Sequence, residues 1–413
     1  MPDSSPPRPR RIIPNCVARV KGERAAFVAD ALLAQSDVSG LSVRRPVDRG
    51  QVVNWDLERE IWQRILSHVL RVRPRDCHLI LSEPYFHLPA LRAAACVTAL
   101  LELEFRSLVM APPALLSLRR HARMHPDVAA NAAGCGLVVD AGFSATHAVP
   151  LFAFAVLWEG VRRIDLGGKA LSNQFKDLIS FRSVNLRDEP YLVEAIKDRT
   201  AFVSLDVAAD LAAAKKKTSP HLLSYILPTG AGDSAGRVLS PEEAGSLGAE
   251  ATVLQLNNER FMVPELLFHP SDIGLNQAGL AETITVAIQA CPPAMHRLLY
   301  SNILLTGGSA CCPNFRERLA MELRPLVPDD YEVRSGSLSG TAVGACSSHL
   351  RTVQSCAHAS PFPALKVGVV LAADPIGDSC RGALDSAPEL LSQRVTAAQF
   401  REMGLEACAA WGA

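Results

Sequence analysis

Twice in this chain a short apolar run of strand type breaks on glycine. VVDAGFS at 138–144 ends its run at Asp140 and turns at Gly142, and LLTGGS at 304–309 turns at Gly307 and Gly308 just before the helix-like NFRERLAMEL (314–323). Backbone N–H groups in a tight glycine turn, or at a helix N-terminus, point toward an anion, so this form can cradle phosphate. Each segment alone is also what an ordinary strand-end turn looks like. Their common order, with a third strand, glycine turn and helix in VRRIDLGGKALSNQFKDLI (161–179) between them, is more specific than either.

Composition narrows the partners. The 413 residues allow two to four domains at about 100–200 residues each. Hydrophobic residues make up 48% and charged residues 20%, enough to bury real cores. Lys+Arg and Asp+Glu are both 42, so the net charge is +0 and exerts no global pull toward nucleic acid or an anionic membrane. No run approaches the roughly 18–20 apolar residues of a membrane span, and the opening MPDSSPPRPRRIIP has no apolar signal core. The eleven cysteines (16, 77, 96, 135, 291, 311, 312, 346, 356, 380, 408) include no C-x-x-C pair and read as free thiols of a reducing compartment, the nucleus or cytoplasm. Adjacent Cys311 and Cys312 are poorly placed to bridge each other. His269 with Asp272 lacks a third metal ligand, so no metal site is expected.

A coarse pass along the chain expects helices at 57–70 (N-capped by Asp56), 89–103, 114–120 and 395–407, and strands at 78–84, 137–140, 303–305 and 366–372. Residues 191–206 read as a helix running into a strand. Residues 1–11, with Arg8, Arg10 and Arg11, read as a solvated tail. Lys215–Lys217 and 228–248 read as exposed loops, and Arg119, Arg120, His121 and Arg123 as a solvated helix end.

LVVDAGFSATHAVP (137–150), VRRIDLGGKALS (161–172), NNERFMVPELLFHPSDIG (257–274) and LLYSNILLTGGS (298–309) resemble the actin superfamily in order and spacing, as does RPVDRGQVVNWDLEREIW (45–62). The branch that the chain resembles is the actin-related protein 6 family, on IIPNCVAR (12–19), FVSLD (202–206) and VPDDYEV (327–333). The resemblance covers about 12–333 and resumes at 366–404. It implies an α/β, actin-like fold of two α/β domains flanking a nucleotide cleft. The division it suggests is a 1–11 tail, an outer domain begun at 12–133, an inner domain at 134–325, and an outer-domain return at 326–413. By the same resemblance Asp140 and Gly142 fall in the second phosphate loop. Gly168, Lys197, Asp198, Gly308, Ser309 and Cys312 fall at adenosine-side positions. Lys197 and Asp198 read equally as a solvated ion pair on a helix, and His147 reads as cleft architecture rather than a base.

The departures from the family set the expected mechanism. The family's N-terminal phosphate hairpin, with its Asp-rich glycine turn, is missing from this reading; the one early Asp-x-x-Gly, Asp37 to Gly40, belongs to a later loop. Alignment puts Pro113 at the position of the water-orienting glutamine and Phe143 at the second acidic position. Pro and Phe have no group to orient water or hold a metal's water, so no catalytic residue and no ATPase are expected. No cofactor is required, with ATP or ADP an optional occupant. Residues 334–365 look like a poorly ordered insertion that splits one strand, so that DYEV would otherwise join VGVVLAADPI directly and deletion should leave stability unchanged or higher. Cys380 stands where the family usually has Trp.

The resemblance implies a non-catalytic subunit of a SWR/SRCAP-type chromatin remodeller that exchanges a Z-type histone variant. Its partners would be protein subunits, with histones contacted indirectly, DNA bound weakly at most and no membrane. It would be nuclear, with a cytoplasmic fraction. The alternatives are a cytoskeletal, filament-forming actin-like protein and an enzyme of the wider sugar-kinase and actin superfamily.

Overall fold

The computed structural model describes residues 12–20, 26–35, 40–216, 218–228, 235–240, 243, 252–328, 331–335 and 365–411. The tail 1–11, Asp37, Lys217, Cys346, Cys356, most of the 228–248 loop and 336–364 of the expected insertion lie outside the described residues.

The apolar runs that carry the glycine turns lie side by side in one seven-stranded sheet. Its order is Ala155–Val156, Thr146–Phe152, Gly136–Ala141, Ile303–Thr306, Leu365–Leu371 and Tyr331–Ser335, with Arg162–Ile164 also paired to Thr146–Phe152. The last four strands of the row are joined in parallel. Both faces of the sheet are covered, which is why its strands read as unbroken apolar runs rather than alternating ones. Leu137, Val139, Ile303 and Leu305 bury one face against Phe175, Ile196, Ile284 and Phe315. Val138, Val149 and Leu304 bury the other against Leu118 and Tyr85.

A second, three-stranded sheet runs Val395–Thr396, Ser107–Ala111, His78–Ser82. Its middle strand is buried throughout. The helix Pro113–Met124 is the wall shared by both sheets: Leu118 faces the large sheet and Leu116 packs with Leu108 and Val109 of the small one. A third sheet, Ala26–Val28, Val17–Val20 and Leu41–Arg44, holds the first described strands, which pair with one another and, among the described residues, join neither larger sheet.

Several expectations change here. Asn54, not Asp56, caps the helix Trp55–Arg64: its side chain accepts the N–H of Leu57 at 3.0 Å. Residues 201–206 form no strand, because Phe202 N–H donates to Arg260 O and Val203 N–H to Pro313 O, two separate segments and not one ladder. The cluster Arg119, Arg120 and Arg123 is no solvated helix end. Arg119 pairs with Glu389, Arg120 with Asp385 at 2.8 Å and Arg123 with Asp385 at 3.6 Å, and His121 is buried.

Residues 331–335 and 365–371 are not one split strand. They are neighbours in parallel register, Tyr331 opposite Leu365 and Ser335 opposite Val369. Parallel strands need a crossover of a dozen or more residues, so the intervening chain is the return connection. Removing 334–365 would leave no chain to make that return, contrary to the expectation that its loss is harmless. The same pairing puts residues beyond 326 in the large sheet, so the boundary expected at 326 falls inside that sheet's own sequence.

Candidate functional site

Parallel pairing sets Asp140 opposite Thr306, so both glycine turns leave the same end of the large sheet as neighbours. Gly307 has φ +90°, and a Cβ there would overlap the backbone of Ala141. Gly167 sits against the first turn, where a Cβ would come within 2.6 Å of Ala145 N and 2.7 Å of Phe143 O. That close approach lets Gly168 N–H donate to Gly142 O at 3.0 Å and Lys169 N–H to Phe143 O at 2.8 Å. The helix Gly168–Arg182 is thereby docked on the 142–145 loop.

The three turns enclose a chamber of about 400 Å³. Gly142, Gly168, Lys197, Asp198, Gly308, Ser309 and Cys312 all line it, so the sequence-derived set comes together except for Asp140. Lys197 is not solvated: it is 9% exposed, its Nζ reaches Gly168 O at 3.5 Å and Asp198 Oδ1 at 3.1 Å. Burial pushes the Cys312 thiol up to about 12 despite Lys197 beside it, so it stays a thiol. Phe143, Glu194, Leu171, Leu267 and Ile376 also line the chamber and were not singled out as binding residues. Glu194 lies one helical turn before Lys197 and Asp198 in the helix Pro190–Thr200, and that spacing was the available signal.

Asp140 opens instead into an adjoining cavity of about 240 Å³ with Pro113, Tyr85, His147, Arg49 and Arg163. Gly142 and Phe143 line both spaces. Tyr85 O–H donates to Asp140 Oδ2 at 3.3 Å and accepts Ala114 N–H at 3.0 Å, at the start of the helix that Pro113 begins. Desolvation raises the Asp140 carboxyl to about 6, opposed by the Tyr85 hydrogen bond. His147 packs on Tyr85 with ring centroids 4.5 Å apart, and desolvation, with the charge of Arg163, lowers it to about 4. It is therefore neutral near pH 7, and its Nε2 has no partner among the described residues.

The Asp140 shift has a testable sign. Folding favours the protonated carboxyl, so the wild type loses stability as pH rises from 3.8 through about 6, while an asparagine has no proton to lose. Asp140→Asn should be more stable than wild type by up to about 3 kcal/mol above pH 7. The advantage should vanish below pH 4. Denaturant unfolding of both proteins from pH 4 to 8 checks this, and a pH-independent difference would show that the carboxyl is not desolvated.

The two spaces offer a nucleotide different groups. Its nucleoside would lie in the larger chamber against Lys197, Glu194 and Asp198. The smaller cavity sets one carboxylate, Asp140, which holds its proton to about 6, beside Arg49 and Arg163, and Phe143 lines both spaces. Among the described residues no three His, Cys, Asp or Glu side chains gather to hold a metal; His269 lies instead 3.4 Å from Glu265.

Glycine turns of two parallel strands converging with a helix N-terminus on one cleft, beside a second smaller sheet, define an α/β protein of actin-like fold. The family profile of actin matches residues 4–342. The chain is 43% identical to Actin-related protein 6 of Oryza sativa subsp. indica, over 82% of this chain and 85% of the rice protein. It is 35% identical to Actin-related protein 6 of Arabidopsis thaliana, over 97% and 93% of the two chains, and 35% identical to that of Drosophila melanogaster, over 78% and 82%. The chain belongs to the actin family, in its actin-related protein 6 branch.

Proposed function

We propose that this chain is a non-catalytic structural subunit of a nuclear nucleosome-remodelling complex of the SWR/SRCAP type, which exchanges a Z-type histone variant. One observation carries the non-catalytic part. Phe143 occupies the 142–145 loop and Pro113 stands beside Asp140, so neither position supplies an amide to orient water or a carboxylate for a metal's water. A two-sheet body that keeps its fold and lacks those groups serves best as a surface. Similarity to proteins named Actin-related protein 6 over most of the chain supports the branch, and the remodeller role is carried over from that branch.

In this reading the partners are other protein subunits, with histones met through them, and no cofactor is required. The net charge of +0 leaves DNA only weak phosphate contacts, with dissociation constants of about 10⁻⁴–10⁻⁶ M. Residence is nuclear, with a cytoplasmic fraction. Affinity purification of the tagged full chain from nuclear extract tests the proposal. Recovery of a remodelling motor and the variant histone is the expected result. Recovery of filament regulators without chromatin proteins, or pelleting of the pure chain as filaments with salt and nucleotide, would overturn it.

A further inference from the structure

We propose that Cys96 and Cys408 form a peroxide-sensitive dithiol, whose disulfide fastens the segment 395–411 onto the small sheet. This goes beyond the remodeller reading and does not depend on it.

The two cysteines are 312 residues apart in sequence, yet their Sγ atoms lie 3.9 Å apart. Cys96 ends the helix Pro89–Cys96, and Cys408 sits in the 3₁₀ turns Gly404–Trp411. Both are free thiols, 0% and 2% exposed, in the small-sheet core with Ala99, Leu100, Leu108, Phe400 and Trp411. Cys291 and Cys311, by contrast, donate to the backbone oxygens of Ala287 and Gly307. A disulfide holds its sulfurs at about 2.0 Å, and rotation about the two Cα–Cβ bonds covers the remaining gap. The bridge would join the helix 89–96, next to the strands His78–Ser82 and Ser107–Ala111, to the segment that supplies the third strand, Val395–Thr396.

The surroundings suit the chemistry, in which the thiolate is the reactive form. The hydrogen bond from Cys96 holds the Cys408 thiol below its ordinary value against the cost of burial; the charge of Arg92 adds to this and that of Glu83 opposes it. Arg92 lies one helical turn before Cys96, and its Nε donates to Glu83 Oε1 at 2.5 Å, with His87 Nδ1 3.0 Å from the same oxygen. Access comes from local opening. The strand Val395–Thr396 pairs with its neighbour over two residues only, and Trp411 Nε1 donates to Gln393 O, close by in the same stretch of chain. A segment with so few hydrogen bonds to the sheet opens at low cost. Opening uncovers Cys408, whose thiolate attacks one oxygen of hydrogen peroxide. The O–O bond breaks, the sulfur is oxidised to a sulfenic acid, and the other oxygen takes up the thiol proton and leaves as water. Reclosure returns Cys408 to Cys96. The Cys96 thiolate attacks Cys408 Sγ, the S–O bond breaks, and the hydroxide leaves as water with the Cys96 proton. Two thiols and one peroxide give one disulfide and two waters. The cross-link then keeps 395–411 from detaching.

The test treats the full chain with hydrogen peroxide in modest excess, alkylates the remaining thiols and maps the peptides by mass spectrometry without reductant. Hydrogen exchange of the 395–411 amides is followed before and after. A Cys96–Cys408 cross-linked peptide is expected, and these amides should exchange at least tenfold more slowly. Dithiothreitol should restore the starting rate. Cys96→Ser and Cys408→Ser should each lose both effects, whereas Cys380→Ser, which removes an exposed thiol, should lose neither. Oxidation of the exposed Cys311 or Cys380 with Cys96 and Cys408 left as alkylatable thiols would overturn the proposal. So would a Cys96–Cys408 bridge that leaves exchange in 395–411 unchanged. The wild-type map and exchange rates decide the matter even where a serine variant fails to fold, and no outcome depends on which complex the chain joins.

Discussion

Arg318→Ala is expected to cost about 3–5 kcal/mol of folding stability. Arg318 is 6% exposed, and its guanidinium donates to both oxygens of Glu265, at 2.9 and 2.7 Å, to Ser204 O at 2.7 Å and to Glu322 at 2.8 Å. It also stacks over Phe268 at 5.1 Å. Burial pushes the Glu265 carboxyl above its ordinary value even with Arg318 against it, so this carboxylate depends on its partner. Alanine would take the bidentate partner from Glu265, which is 2% exposed and keeps only the more distant His269 at 3.4 Å among its described ion-pair partners, and would leave Ser204 O without this donor. The groove beside the pair, lined by Leu205, His269 and Met321, admits water and pulls the cost toward the lower end. The penalty belongs to the unpaired charge more than to the pair, so Arg318→Met with Glu265→Leu should unfold later than Arg318→Ala. Urea denaturation of the three proteins decides. A single-variant loss below 1 kcal/mol would show that Glu265 finds water or another partner.

Gly307→Ala should cost about 3 kcal/mol or more. The backbone at φ +90° and ψ 159° lies in a region open essentially to glycine alone and costs a side chain about 1–3 kcal/mol. The added methyl would also overlap the Ala141 carbonyl and push apart the two turns that form the chamber. Gly307 N–H donates to Pro375 O at 2.8 Å, so the turn cannot simply rotate away. Gly308→Ala is the control: nothing lies within 4 Å of a Cβ there, and its effect should stay within about 1 kcal/mol. Thermal melts of the two variants compare them directly, and equal losses would refute the steric account.

Much of this arrangement was legible in the order of residues. Buried strands of a covered parallel sheet must be apolar on both faces, so LVVD, ILL and KVGVVLA declared themselves. The glycine turns at their ends were ambiguous one by one; the fold class and seven residues that line the chamber came through the resemblance of the ordered segments to the actin superfamily. The Asn54 cap was missed because Asn54 and Asp56 are both good cap residues, and only the path of the backbone settles which one reaches Leu57 N–H. A strand was wrongly expected at the end of 191–206 because apolar residues in single contacts to two segments have the composition of a ladder without being one.

Local sequence determined which segments are strands, helices and turns, because periodicity and glycine act within a few residues. It could not separate the members of the pairs Gly167–Gly168 and Gly307–Gly308, since the obligatory glycine is the one whose missing Cβ is demanded by a distant backbone, at 142–145 in the first pair and at Ala141 in the second. Nor could it show that 331–335 and 365–371 are parallel neighbours, because strand pairing across a long connection is a property of the sheet. The role of Phe143 is of the same kind. Its identity alone removes a metal ligand, but only the tertiary structure brings Arg45 and Gly168 against its ring and sets it at the edge of both spaces.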